Sequence, residues 1–264
     1  MCASPIHSNN NQQFYMYAPF KRGILGGAVA VILFGIGCTP QYYAPNSVQT
    51  PYLEDQHSAH LRTGLVNGSG QSGFELQATY SPLKHLHVVG NYFSVKVNPE
   101  DSEFSTPSSG NGRLLEGGIG GYLPLKQNQC LSMTLTYGNG MAYNQYADGG
   151  HSTLRFQRYA ITPAYVVQNR IFRFGLGLRI SRLDYYSGDI VKLGQTDELA
   201  VLNRIERKDH FWFPESTINM GIRVEPFLMS LNWNSLLFGE YDRYHFARRN
   251  FGVSISCDVD KLFR

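Results

Sequence analysis

Phe172 to Ser181 reads FRFGLGLRIS, and its residues sort by parity. Phe172, Phe174, Leu176, Leu178 and Ile180 are large and apolar, whereas Arg173, Gly175, Gly177, Arg179 and Ser181 are charged, tiny or polar. Side chains of an extended strand alternate between its two faces, so this stretch is a strand with one greasy face. In a soluble sandwich or lipocalin-like barrel the greasy face points inward, and Lys and Glu crowd the other. Here the opposite face carries Gly, Ser and Arg. That pairing suits a strand whose greasy face meets lipid and whose other face lines a narrow lumen.

The same alternation recurs on both sides of this stretch. Phe74, Leu76, Ala78 and Tyr80 alternate with Glu75, Gln77 and Thr79. Leu131, Met133, Leu135 and Tyr137 alternate with Ser132, Thr134 and Thr136, and Phe227, Met229, Leu231 and Trp233 with Leu228, Ser230, Asn232 and Asn234. With weaker members the series predicts about ten strands, near 58–66, 73–81, 85–97, 112–123, 130–141, 152–167, 170–184, 210–224, 227–237 and 244–258. Their connections alternate too. SPLKH, PLKQNQ, QNR and EP are short; NPEDSEFSTPSSGNG, the stretch around AYNQYADGGH and Ser187 to Asp209 are long. Short turns at one end and long loops at the other are the habit of outer-membrane barrels. The expected fold is all-β, an antiparallel up-and-down transmembrane β-barrel of about ten strands, with eight as the alternative.

Composition agrees. Of 264 residues, 42% are hydrophobic and only 16% charged, with 27 Gly, 17 Tyr and 16 Phe, as suits a β-protein with two demanding faces. Only one long apolar run occurs, which excludes a helical membrane bundle. A net charge of +3 without a basic helix argues against nucleic acid as a partner. Cys130 and Cys257 have neither CxxC spacing nor a His cluster, so no metal site and no cofactor are expected.

That one apolar run is KRGILGGAVAVILFGIGC, Lys21 to Cys38. A basic start, about fifteen apolar residues and small residues before the Cys form an export signal, too short to cross a bilayer permanently. Gly37 and Cys38 resemble the lipobox of bacterial lipoproteins, in a relaxed form with Gly35 where Leu is usual. The resemblance implies cleavage after residue 37 and a covalent lipid on Cys38. Residues 1–37 are then the signal region, with Met16 as an alternative start. Residues 38–57 are a lipidated N-terminus and extended periplasmic tether, read from three prolines and no period in TPQYYAPNSVQTPYLEDQ, and 58–264 are the barrel.

Lipobox, tether and the strand-turn-strand SGFELQATYSPLKHLHVVGNYF together resemble small outer-membrane β-barrel lipoproteins of the Bacteroidota type. The resemblance implies an outer-membrane location with the N-terminus periplasmic and the long loops extracellular. Asn250 to Cys257, NFGVSISC, resembles the C-terminal strand signal read by the barrel-assembly machinery, which is therefore an expected partner beside outer-membrane lipid. A larger outer-membrane complex is another.

The lumen register collects Arg62, Arg158, Arg173, Arg179, Arg223 and Arg248, with Glu75, Glu116 and Asp258 as counter-charges. This network is expected to hold the barrel closed. Tyr80, Tyr122, Tyr137, Tyr165 and Trp212 fall near strand ends, where an aromatic girdle sits. Tyr143, Tyr146, Tyr185, Tyr186, Tyr241 and Tyr244 fall in the long loops, where they can form a sticky outer surface or join the girdle. No catalytic set is expected: His151-Ser152 and Asp209-His210 are adjacent pairs, and neighbours on a strand face opposite ways. The expected function is a non-enzymatic binding, accessory or structural component of the outer membrane. A narrow Arg-lined pore for small anions is the first alternative and an outer-membrane lipid A or peptide hydrolase the second. Cys130 and Cys257 lie on opposite faces about five strands apart and should stay unlinked, Cys257 shielded by lipid and Cys130 open to water-soluble reagents.

Overall fold

The computed structural model describes residues 42–262, apart from 69, 98–108, 126–127, 147, 192–195, 209 and 240–241. Cys38, Asp209 and Tyr241 therefore lie outside the described residues. Ten strands follow one another: β1 Ala59–Gly68, β2 Gln71–Leu83, β3 Leu86–Val97, β4 Ser109–Leu125, β5 Gln129–Gln145, β6 His151–Gln168, β7 Phe172–Val191, β8 Phe211–Val224, β9 Phe227–Leu236 and β10 Arg249–Asp258. Each pairs antiparallel with its sequence neighbours, and β1 pairs with β10, so the sheet is a closed barrel. No edge is left unpaired.

The alternation read from the sequence sets the two faces. Leu65, Leu115, Ile119, Leu135 and Met229 are among the large apolar side chains exposed on the outer wall, while Arg62, Glu75, Gln77, Asn91, Glu116 and Thr134 are buried inside. This inverts the arrangement of a water-soluble protein, in which exposed apolar surface of this extent is not tolerated. Tyr80, Tyr137 and Trp212 stand on the outer face as expected. Tyr122 does not. It shares the inward parity of Leu114 and Glu116, is 4% exposed, and shares a hydrogen bond of 2.9 Å with the Ser81 hydroxyl.

Two turns differ from expectation. β10 begins at Arg249 instead of 244, because Phe246 bridges in parallel to Tyr43, and Asp242–Tyr244 form a single 3-10 turn. Between β7 and β8 stands an unexpected helix, α1, Thr196–Arg207. Its Val201, Leu202 and Ile205, at the i, i+1, i+4 spacing of one helix face, pack on Tyr42, Phe211, Tyr244 and neighbouring rings. Among the described residues, α1 and residues 242–247 thus cap one end of the barrel, where the short β1–β2 connection also lies, and the turns between β2 and β3, β6 and β7, and β8 and β9 lie at the other, with Ala59 and Asp258.

Candidate functional site: a segment threaded through the lumen

The residues expected to form a tether outside the barrel run through its centre. Tyr42, Tyr43, Asn46, Ser47, Val48 and Leu53 are all at most 3% exposed. Tyr42 lies at the long-loop end: its amide donates to the His245 carbonyl (3.2 Å), and its hydroxyl meets Tyr146 (2.7 Å) and Glu198 of α1 (3.0 Å). Burial pushes the Tyr146 hydroxyl pKa up, so the hydroxyl keeps its proton beside Tyr42. Leu53 lies at the short-turn end, against Tyr122 and Cys130. The chain then reverses, with the His57 amide on the Ser81 carbonyl (2.7 Å), and enters β1.

An unpaired backbone inside a lumen needs partners, since a buried amide or carbonyl without one is expensive. The wall supplies them from side chains. Arg179 Nη2 donates to the Asn46 carbonyl (2.9 Å), Gln77 Nε2 to Ser47 (2.9 Å) and Asn250 Nδ2 to Pro45 (2.6 Å). The Val48 amide donates to Thr217 Oγ1 (3.1 Å), and Gln49 returns a bond from Nε2 to the Gly90 carbonyl (3.0 Å). Space comes from glycine. A β-carbon on Gly175 would stand 3.0 Å from Thr50 Oγ1, so this glycine of β7 gives up the volume that admits the segment there.

The charge network holds the same segment. Arg158, fully buried, is gripped by both Glu116 oxygens and donates from Nη1 to the Tyr43 hydroxyl (2.6 Å) and from Nη2 to Asn46 Oδ1 (2.6 Å). Arg179 pairs with Glu215, whose other oxygen accepts from Tyr43 (2.8 Å) and Ser181 (2.7 Å). Near the short-turn mouth, Arg173 and Arg223 share Asp258 at 3.7 and 3.5 Å, and Arg62 bonds Ser254 and Gln77 beside Glu75. Seven of the eight predicted network residues therefore face the lumen. Arg248 is the exception: it precedes β10 and is exposed, because the strand starts one residue later and its parity carries nothing inward there.

Glu215 belongs to the same network without being among the residues the sequence singles out, although it shares parity with Thr217 and Asn219, which are polar and inward. The threaded course of residues 42–53 likewise departs from the expected tether. Of the loop tyrosines, Tyr146 and Tyr244 are buried, and Tyr185 packs on the same aromatic cluster as Tyr43, Phe156, Phe211, Phe213 and Phe246; they cork the mouth from within, and Tyr186 is exposed. His151 and Ser152 do face opposite ways: Ser152 is fully buried on Tyr146 (2.8 Å) and His151 lies beside Tyr143. Among the described residues no group of three or more metal-ligating side chains occurs.

An even, closed, antiparallel ring, apolar outside and polar within, is the architecture of bacterial outer-membrane proteins. The barrel is of outer-membrane type. No family model matches the chain, and no curated protein matches it. Solved structures similar in outline include the outer membrane protease OmpT from Escherichia coli, 8% identical over 77% of this chain and 93% of that one, with a TM-score of 0.41. Another is the outer membrane protein OprD from Pseudomonas aeruginosa, 9% identical over 84% and 97%, with a TM-score of 0.27. Neither likeness carries an activity to this chain.

Proposed function

We propose that the chain is a non-enzymatic outer-membrane barrel lipoprotein of the Bacteroidota type with a closed lumen, serving as a structural or accessory component of that membrane. One observation carries the reading: residues 42–53 fill the lumen and are pinned there by the Arg158–Glu116 and Arg179–Glu215 pairs. Four cavities along the segment have volumes of about 30, 10, 20 and 10 Å³, each on the scale of one or two waters. The long-loop end, capped by α1 and the aromatic cluster, is the outer face, and the short turns are periplasmic; the alternation of loop lengths supports this orientation. Outer-membrane lipid covers the wall, the assembly machinery inserts it, and a larger membrane complex is the partner class for its capped outer end.

Planar-bilayer recording of the purified protein tests the closed lumen. Negligible conductance is expected. Large, stable, salt-dependent steps in the unmodified protein would replace this reading with that of a narrow anion pore.

A further inference from the structure

The sequence leads one to expect that the chain before the barrel stays on the short-turn side, next to Ala59. The course of residues 42–53 reverses that expectation. Going backwards from β1, the chain turns at His57 beside Ser81, passes Leu53 between Tyr122 and Cys130, and climbs past Thr50, Val48 and Asn46 to Tyr42. Tyr42 lies under the long-loop cap, held by His245, Tyr146, Tyr185 and Glu198. Eleven steps from Leu53 to Tyr42 can span at most about 36–40 Å, enough to cross the ~25 Å apolar band of such a barrel. With Leu53 held at the short-turn end and Tyr42 under the long-loop cap, the segment runs the length of the lumen.

We propose that the chain enters the barrel from its long-loop mouth at Tyr42, so that the acceptor Cys38, four residues earlier, lies on the same side of the membrane as the long loops. Four steps separate Cys38 from Tyr42, at most ~14 Å of chain, which cannot return across the band. A lipid on Cys38 is thus presented to the leaflet next to the long loops and not to the periplasmic leaflet. Naming that leaflet as the outer one rests on the orientation proposed above; the exit through the long-loop mouth does not.

Three single substitutions in the full chain separate the two claims, each read with a membrane-impermeant maleimide on intact cells and again after the outer membrane is opened. Gln41→Cys reports the exit, Asp189→Cys the exposed long-loop end of β7 and Lys84→Cys the exposed turn between β2 and β3, with the unsubstituted chain as baseline. Gln41→Cys is expected to label together with Asp189→Cys on intact cells, and Lys84→Cys only after opening. Labelling of Gln41→Cys only in company with Lys84→Cys overturns the proposal. If Lys84→Cys is the one labelled on intact cells, the orientation is inverted, and the group that Gln41→Cys joins still decides the exit. Should the Gln41→Cys thiol stay unlabelled in both conditions, a short epitope inserted between Thr39 and Pro40, read by antibody under the same two conditions, decides it by the same rule.

Discussion

Gly177 of β7 lies so close to Val48 of the threaded segment that a β-carbon on the glycine would stand 2.6 Å from Val48 Cγ1. The contact links a wall residue to a residue 129 positions earlier in the sequence, and it makes the fit of the segment open to test. Gly177→Leu should push Val48 aside and loosen the segment, at about 1–3 kcal/mol from overpacking. Bilayer recordings of this variant should show openings that the parent lacks, and its unfolding temperature in detergent should fall. Gly121→Ala is the comparison: its nearest neighbour to the added methyl is 3.6 Å away, so it should behave as the parent. Equal behaviour of the two variants would contradict the packing described.

Glu116→Ala should be among the most damaging single changes. It leaves the fully buried Arg158 guanidinium without its counter-charge and also strands Asn91, which donates to the same carboxylate. Breaking a buried pair in this way destabilises by about 3–5 kcal/mol. Glu215→Ala should match it through Arg179. Glu54→Ala, half-exposed and 3.8 Å from Lys261, should shift stability by less than ~1 kcal/mol. Thermal unfolding in detergent, followed by loss of β-structure, ranks the three.

The two thiols should remain unlinked and differ in reactivity. Both are free, on β5 and β10, and Cys130 is only 1% exposed behind Leu53 and Tyr122. The sequence suggests that Cys130 is open to small reagents, because its inward parity places it in a lumen taken to be accessible. Leu53 closes that route. A water-soluble maleimide should therefore spare Cys130 in the folded protein and modify it in Leu53→Ala. Mass spectrometry of unreduced protein that found a Cys130–Cys257 linked peptide would refute the strand placement.

What the sequence discloses follows from period two. Every strand advertises itself because one face must satisfy lipid and the other a polar interior, and the parity of Arg62, Glu75 and Arg158 follows from the same rule. The threaded segment has no such signature. From Pro45 to Val48 its backbone bonds come from side chains of distant strands, Gln77, Arg179, Thr217 and Asn250, so its own residues need neither alternate nor favour a strand, and two prolines, Pro45 and Pro51, are tolerated. A stretch with no period resembles a linker. The legible hint lies elsewhere, in Gly175 and Gly177, where the wall gives up side-chain volume that something else has to fill. α1 is hidden for a related reason: its buried face meets loop and segment residues whose meeting no local pattern records.

The ladder joining β1 to β10 comprises eight registered pairs, against seventeen between β4 and β5, and it is the seam at which the first and last strands meet. A ring can enclose a rod in two ways: the rod is pushed through the finished ring, or the ring closes around it. Rings of Tyr43, Phe211, Phe213 and Phe246 stop one mouth, which disfavours the first way. The rod also precedes every strand in the chain and so is made before any of them. Chronology and geometry then point the same way: the earliest residues act as the mandrel on which successive hairpins are laid, and a chain lacking residues 42–53 should close its last seam more slowly, read as delayed appearance of the folded barrel in a refolding time course.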